Sequence, residues 1–404
     1  MFIEFPPVST AEWEAAVRLD LKGREAASLG KILYRAEDVT PGEQPWPARA
    51  WQIWAEVSDL ASARRALARG TEGLVVASPG ADWLPLLDGV HLHTSAAEAT
   101  LRPWAAGLSG TIEADSVSVA LPGFRPVRAL RDDLTMVQQI AAVKGVDAHC
   151  DWMVPVGPSY FEEIAKFRAL RRLRPTARIV ARTSRWHSTA YDPHVNLLRG
   201  TTEAMAAIIG GCDALIVGPF TEARGFSDEL AERLALNTQL LLRDESYFGQ
   251  VADPAAGSWY VESLTEELLR GVGADKLATA FVGVNRYPNP RESSPEVVTP
   301  ERAMSALEEC RLRSERAARR PTARLVRGSD EKMSRARAAF GQDFLVAGGF
   351  AIVESGDADL TVLCDADANY PGAREFPVVA AGPDFNRNSD HAAIIAEWQK
   401  RLGI

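Results

Sequence analysis

ARIVARTSRWHSTAYDPHVNLLRGTTEAMAAIIGGCDALIVGPF, residues 177–220, decides the fold class. It opens on one apolar run, ARIVART at 177–183, and closes on another, ALIVGPF at 214–220. Between them, Asn196–Ile209 repeats its apolar residues at helical spacing. Two strands joined through a helix form a βα unit of a parallel sheet, because parallel neighbours need a long crossover. Working outward, the same alternation recurs. Apolar runs stand at 52–57 (QIWAEV), 73–78 (GLVVAS), 89–94 (GVHLHT), 116–121 (SVSVAL) and 148–156 (AHCDWMVPV). Helical stretches accompany them at Leu60–Arg69, Leu134–Val143, Tyr160–Leu173 and Ser227–Asp244. Seven or eight such units in about 200 residues, with no Gly-rich phosphate turn, predict a closed (β/α)8 TIM-type barrel over an open doubly wound sheet. Functional groups are then expected at the C-terminal ends of the strands.

The flanks read differently. Trp13–Gly30 has the spacing of an amphipathic leader helix, and Pro41–Pro47 ends it. Past Tyr260 the pattern is helical, first at Glu262–Arg270 and then at Pro300–Arg319. The second of these, within ERAMSALEECRLRSERAARR, is dense in charge and reads as an exposed linker helix stopped by Pro321. A smaller α/β pattern follows: ARLV, a helical Lys332–Phe340, FAIVES, LTVLCD, FPVVAAG, and a last helix at about Ser389–Leu402 with Asp390 near its start. The division is therefore 1–40 leader, 41–260 barrel, 261–320 helical linker and 321–404 small α/β domain.

Composition narrows the class. A chain of 404 residues that is 46% hydrophobic and 25% charged has the make-up of a soluble globular protein. A net charge of -9 argues against a nucleic-acid binder, which needs a basic face to displace counterions. Cys150, Cys212, Cys310 and Cys364 are far apart, without a C-x-x-C pair, as expected of buried thiols in a reducing compartment. The N-terminus, with Glu4 and a Pro pair, does not read as a signal peptide, and no apolar run is long enough to span a bilayer. A cytoplasmic protein is expected.

Catalytic constellations are scarce. There is no G-x-x-x-x-G-K-[ST] loop, no G-x-S-x-G elbow and no H-E-x-x-H helix. His91 and His93 would share one face of a strand and could form half a metal site, with Asp88 as a weak third ligand. DAHCD at 147–151 also alternates ligand-type residues, but it reads equally as a strand entering the barrel. The expectation is a hydrogen-bonded histidine pair: no catalytic, cofactor-binding or metal-binding residue is assigned.

Longer stretches carry a family resemblance. FEEIAKFRALRRL at 161–173, RTSRWHSTAYDPHVNLLRGTTEAMAAIIGGCDAL at 182–215, ERLALNTQLLLRDES at 232–246 and VADPAAGSWYVE at 251–262 together resemble the barrel domain of the methylmalonyl-CoA mutase family. GVNRY at 283–287 and WEAAVRLDLKG at 13–23 extend the resemblance. Within it, Asn196, Arg199, Glu203, Asn237 and Gln239 are expected to tie strands to helices, and Asp253-Pro254 with Gly257 to turn the chain out of the barrel.

Departures from the family pattern bear on function. Catalytic chains of the family carry an R-G-P-Y-A-T-M-Y-like segment whose tyrosine and arginine contact the acyl group. LYRAEDVTPGEQPWPARAWQIW at 33–54 has nothing like it, and Tyr34 and Arg35 do not match. Those chains also place a proton-donating histidine six residues before the Trp of T-S-x-W. Counting back from Trp186 reaches Val180, which cannot donate a proton, and His187 lies beyond the strand end. The cobalamin-type domain of the family uses D-x-H-x-x-G. In GSDEKMSR at 328–335, Asp330 is present but Lys332 stands at the histidine position, and the tail after VLCDADANYPG is short. The resemblance thus implies a degenerate, truncated flavodoxin-like (cobalamin-binding-type) domain, and a small, non-catalytic subunit that binds no cofactor. Its partner would be a large catalytic subunit in a heterodimer, holding adenosylcobalamin and interconverting methylmalonyl-CoA and succinyl-CoA. A barrel served by a separate cobalamin-binding chain, and a non-catalytic acyl-CoA binder, are the alternatives. Two further expectations follow. Trp51, Trp54, Trp152 and Met153 should fill the barrel, and the leader Phe2–Leu33, with Phe2, Ile3, Phe5, Trp13, Val17, Leu19 and Leu21, should meet the partner.

Overall fold

Alternation along short strands sends every second side chain to one face, and this chain uses both faces. The computed structural model describes residues 9–20, 50–96, 112–114, 124–146, 150–273, 277, 279–327, 332–364, 377–379, 386 and 388–404. Helix α1 is Thr10–Asp20. The strands that follow are β1 (Gln52–Glu56), β2 (Gly73–Val75), β3 (His91–Thr94), β4 (Ile112–Ala114), β5 (Phe124–Ala129), β6 (Asp151–Val156), β7 (Ile179–Thr183) and β8 (Ala214–Ile216). Each is parallel to its neighbour, and β8 returns to β1 through Gln52↔Ala214 and Trp54↔Ile216, closing the barrel.

Helices cross over outside it: α2 (Leu60–Ala68) after β1, α3 (Met136–Lys144) after β5, α4 (Tyr160–Leu173) after β6 and α5 (Val195–Ile209) after β7. After β8 comes α6 (Glu229–Leu240), which continues into one π-turn, Leu241–Glu245. A 3-10 turn, Ala81–Leu86, replaces the helix after β2. Local chemistry starts several of these. Asp59 with Ser62 and Thr135 with Gln138 form capping boxes on α2 and α3.

Outward side chains of the strands (Ile53, Trp152, Val154, Ile179, Ala181, Leu215) pack with Trp51 beneath Phe167, Ala204 and their neighbours on the helices. Inward ones form a separate cluster of Trp54, Val180, Ala214 and Ile216, flanked by Val75 and Met153. This corrects half of the expected filling. Trp54 and Met153 point inward, whereas Trp51 and Trp152 belong to the outer layer, because Trp152 is one residue out of phase with Met153 on β6. The run SVSVAL at 116–121 lies outside the described residues, and β4 and β5 occur on either side of it.

Beyond the barrel, α7 (Trp259–Arg270) leads to α8 (Ser305–Arg316). A second sheet then follows: β9 (Thr322–Val326), α9 (Lys332–Ala347), β10 (Ala351–Ile352), β11 (Leu360–Leu363), β12 (Pro377–Val379) and α10 (His391–Leu402). Its four strands are parallel, in the order β10-β9-β11-β12. Asp390 caps α10 by accepting from Ala393 N at 3.0 Å, as its position in the sequence suggested.

The expected exposed linker helix is not what α8 proves to be. Leu307 and Cys310 join the core of the second unit with Phe344, Phe350 and Trp398. Glu308 is fully buried and accepts from Ala190 N at 2.7 Å and Tyr191 N at 3.2 Å, in the loop after β7. Arg302 pairs with Glu308 at 2.8 Å, and the Arg311 guanidinium stacks on the Tyr191 ring at 4.0 Å. Glu308 and Arg311 of the helix are inside, while Glu309, Arg313 and Arg316 are exposed, and the two buried residues bolt the second unit onto the barrel's C-terminal end.

Candidate functional site

The C-terminal mouth of the barrel is the place to look for chemistry. There, Glu56 at the end of β1 meets Arg182 near the end of β7 in a two-pronged pair, Nε–Oε1 2.9 Å and Nη2–Oε2 3.0 Å. The same guanidinium reaches Glu222, just after β8, at 2.6 Å and the Thr183 carbonyl at 2.6 Å. Arg185 adds a bond to Glu56 at 2.8 Å. Burial works to raise the Glu56 pKa, yet Arg182 and Arg185 outweigh it and hold the carboxyl at about 2. Burial raises Glu222 instead, with Arg182 opposing. Two arginines and two glutamates neutralise one another here. Among the described residues the clamp is balanced in charge, with Arg185 its most exposed member.

Below it, Trp54 spans the barrel. An added Cβ on Gly73 would lie 2.4 Å from the indole, so the neighbouring strand must carry glycine for the ring to fit. The ring stacks on His91 at 6.0 Å, and the Arg178 guanidinium lies 5.9 Å from it. His91 Nε2 bonds the Gln52 amide at 2.9 Å, which seals the base with polar groups. Burial, reinforced by the Arg178 charge, lowers the His91 pKa. His93 is buried on the same face, as the spacing implied. Asp88 is exposed on a turn, and no group of three or more His, Cys, Asp or Glu among the described residues is placed to hold a metal. In DAHCD, residues 147–149 lie outside the described residues, while Asp151 accepts from Arg178 N at 2.8 Å. Val180, at the position of the family's histidine, is fully buried against Trp54.

His187 sits beside the mouth and not in it. Ser184 Oγ donates to Asp132 Oδ1 at 2.8 Å and lies 2.8 Å from His187 Nδ1. One hydroxyl proton cannot serve both, so Nδ1 carries the proton of that second bond. Burial, against the pull of Asp132, lowers the His187 pKa to about 4. The ring stacks on Phe281 at 5.8 Å, in the segment leading to the second unit.

Most of the other singled-out polar residues are ties. Asn196 Nδ2 donates to the Thr189 and Phe220 carbonyls at 2.8 and 2.9 Å. Arg199 reaches the Val282 carbonyl at 2.7 Å, and Glu203 accepts from Ser184 N at 2.9 Å. Gln239 donates to the Trp54 carbonyl at 3.3 Å. Asn237 is on the exposed side of α6, so it does not tie strand to helix as expected. Asp253, at φ 36, pairs with the buried Arg168 at 2.9 Å, and Gly257 N donates to Glu262, which shares that arginine. Tyr34, Arg35 and Asp330 lie outside the described residues, and Lys332 is an exposed residue at the start of α9. Glu56 and Glu222 were not anticipated. Their bonds to Arg182 span 126 and 40 residues, beyond any local spacing rule.

Above Trp54 a cavity of about 550 Å³ opens, floored by Trp54 and Met153 and reaching over β1 toward α2 and α6. No described helix is long and apolar enough to cross a membrane.

Comparison with known proteins gives consistent matches. The family model described as methylmalonyl-CoA mutase matches residues 135–274. The methylmalonyl-CoA mutase small subunit of Porphyromonas gingivalis is 30% identical over 298 residues, covering 53% of this chain and 48% of that one. A probable methylmalonyl-CoA mutase small subunit of Mycobacterium tuberculosis H37Rv is 32% identical over 304 residues, covering 60% of this chain and 49% of that one. The methylmalonyl-CoA mutase of Escherichia coli K12 is 36% identical over 129 residues, 28% of this chain and 18% of that one. The chain thus spans about half the length of the small subunits that it matches.

Proposed function

Because the chain belongs to the methylmalonyl-CoA mutase family, we propose that it is the small, non-catalytic subunit of an adenosylcobalamin-dependent methylmalonyl-CoA mutase. It supports a large subunit that does the chemistry. One observation carries the reading: at the position of the family's proton donor, Val180 is packed under the Trp54 indole in a closed inner cluster. A thioester carbonyl developing negative charge would meet hydrocarbon there, with no donor to stabilise it. The axis through which a CoA arm would thread is crossed by Trp54 and sealed below by Gln52, His91 and Arg178.

The second unit supports the same reading. Its order β10-β9-β11-β12 is that of the first four strands of a flavodoxin-like sheet, as a truncated cobalamin-type domain would have. Adenosylcobalamin, which the family implies, does not fit the donors present. The lower-ligand position holds Lys332, an exposed residue whose ammonium has no lone pair for cobalt. No step is therefore assigned to the cofactor on this chain. For the partner, Trp13 and Leu19 of α1 are 46% and 81% exposed, which suits a leader that packs on another subunit; Phe2, Ile3, Phe5 and Leu21 lie outside the described residues.

Equilibrium dialysis of the isolated chain against adenosylcobalamin, and titration with methylmalonyl-CoA, test this reading. We expect no stoichiometric uptake of either. A corrinoid spectrum that stays with the chain through gel filtration, or saturable acyl-CoA binding that Trp54→Phe alters, contradicts it.

A further inference from the structure

The mouth cavity remains without a role in the subunit reading. We infer that it is a binding site for a neutral, largely apolar molecule of two or three fused or linked rings carrying one hydrogen-bond donor. The inference goes beyond the subunit reading and does not depend on it.

Three observations select that chemistry. The first is shape: a volume of about 550 Å³ over a floor of Trp54 and Met153, with Val75 and Leu236 in the walls, is room for a small ring system. The second is charge. The charged groups that border the cavity among the described residues are matched within the protein: Glu56 by Arg182 and Arg185, Glu232 by Arg65 at 3.1 Å, and Arg69 by Glu229 at 2.6 Å. The α2 N-terminus beside it is capped by Asp59, which accepts from Ser62 N at 2.7 Å. A carboxylate or phosphate entering would have to share a cation that already holds a carboxylate and would lie near Glu56 or Glu232, so an anionic acyl-CoA is disfavoured and a neutral guest is not. The third is Gln239, which lines the cavity at 1% exposure. Its Nε2 is used by the Trp54 carbonyl, and its Oε1 has no hydrogen-bond partner among the described residues. The oxygen itself is closed to solvent beside the cavity, so a ligand N–H or O–H gains this bond as the amide turns toward it.

N-phenyl-1-naphthylamine, a neutral two-part aromatic with one N–H, is the probe, titrated by fluorescence into the full chain. Saturable binding at a single site is expected. Its sulfonated relative 8-anilino-1-naphthalenesulfonate should bind at least about tenfold more weakly, and acetyl-CoA should not displace the neutral dye. Ala129→Trp fills the cavity from an exposed position at the end of β5 and should abolish binding with the circular dichroism unchanged. Ser95→Trp, at another exposed rim position, does the same job should the first variant not fold. Gln239→Leu should weaken the dye about fivefold, the worth of one neutral hydrogen bond. Absence of saturable binding, undiminished binding in the folded filled variants, or equal affinity for the sulfonate overturns the proposal. Assembly with a larger homologue is read out separately, so neither result decides the other.

Discussion

At residue scale, burial decides what the polar side chains of this chain can do. Val180, which the family resemblance sets at a donor's position, is fully buried in the inner cluster beside Trp54. His187 was set aside as lying beyond the strand end, and the structure gives it a buried place between Ser184 and Phe281. That burial has a measurable consequence. A histidine lowered from the usual 6.5 to about 4 stays neutral in the folded chain while the unfolded chain takes up a proton. The unfolded state then binds more protons between those values, so the His187 contribution is full above pH 6.5 and is lost as pH falls toward 4. Buried Glu203 and Glu163 are raised and pull the other way, so the comparison must be made against a variant. Denaturant unfolding across this window should show wild type losing about 3 kcal/mol relative to His187→Asn. Parallel curves for the two proteins would mean that the imidazole is not held neutral by burial. The Glu56–Arg182–Glu222 clamp had no local signal at all. Its members meet only when the barrel closes, and Arg182→Met, which leaves the part-buried Glu56 and Glu222 to Arg185 alone, should cost about 3 kcal/mol in the same assay.

Elements with strong apolar period were read well, and those whose character comes from their neighbours were not. Strands β1, β2, β3, β6, β7 and β8 fall inside the runs picked out by hydrophobicity, and α4 has the bounds that its period predicts. Strands β4 and β5 are short or interrupted by charge and proline, as in FRPVRA, so that barrel pairing and not local pattern makes them strands. Phase within a run was the weaker reading. Trp51 and Trp152 cover the outside of the barrel, a one-residue difference that composition does not carry. Helix α8 is the sharpest case. Its charges look solvated in sequence, but Glu308 and Arg311 find their partners across an interface with the loop after β7. Glu308→Ala should therefore destabilise by about 3–5 kcal/mol, since Arg302 is left buried without its carboxylate. Glu308→Gln, which keeps the acceptor for Ala190 and Tyr191, should cost less. An exposed linker would show changes within about 0.5 kcal/mol for both, and that result would contradict the packing described.

For the whole molecule, the barrel class was legible because a parallel sheet with repeated crossovers has few architectures. The site was expected as a set of departures from the family pattern, and departures say little about what stands in their place. The structure supplies that part: an indole across the axis, a neutralised clamp at the mouth, and a second unit fastened by buried ion pairs. On the reading proposed above, a chain built this way would lend stability and shape to a partner. Co-expression with a longer homologue that retains the R-G-P-Y-like segment and both histidines tests this most directly, through light scattering on a sizing column and mutase activity of the peak. The account predicts a stable one-to-one complex whose activity survives Trp54→Phe in this chain and is lost when the homologue's histidines are removed. Mutase activity from this chain alone, or an active homologue that never co-elutes with it, would contradict the account.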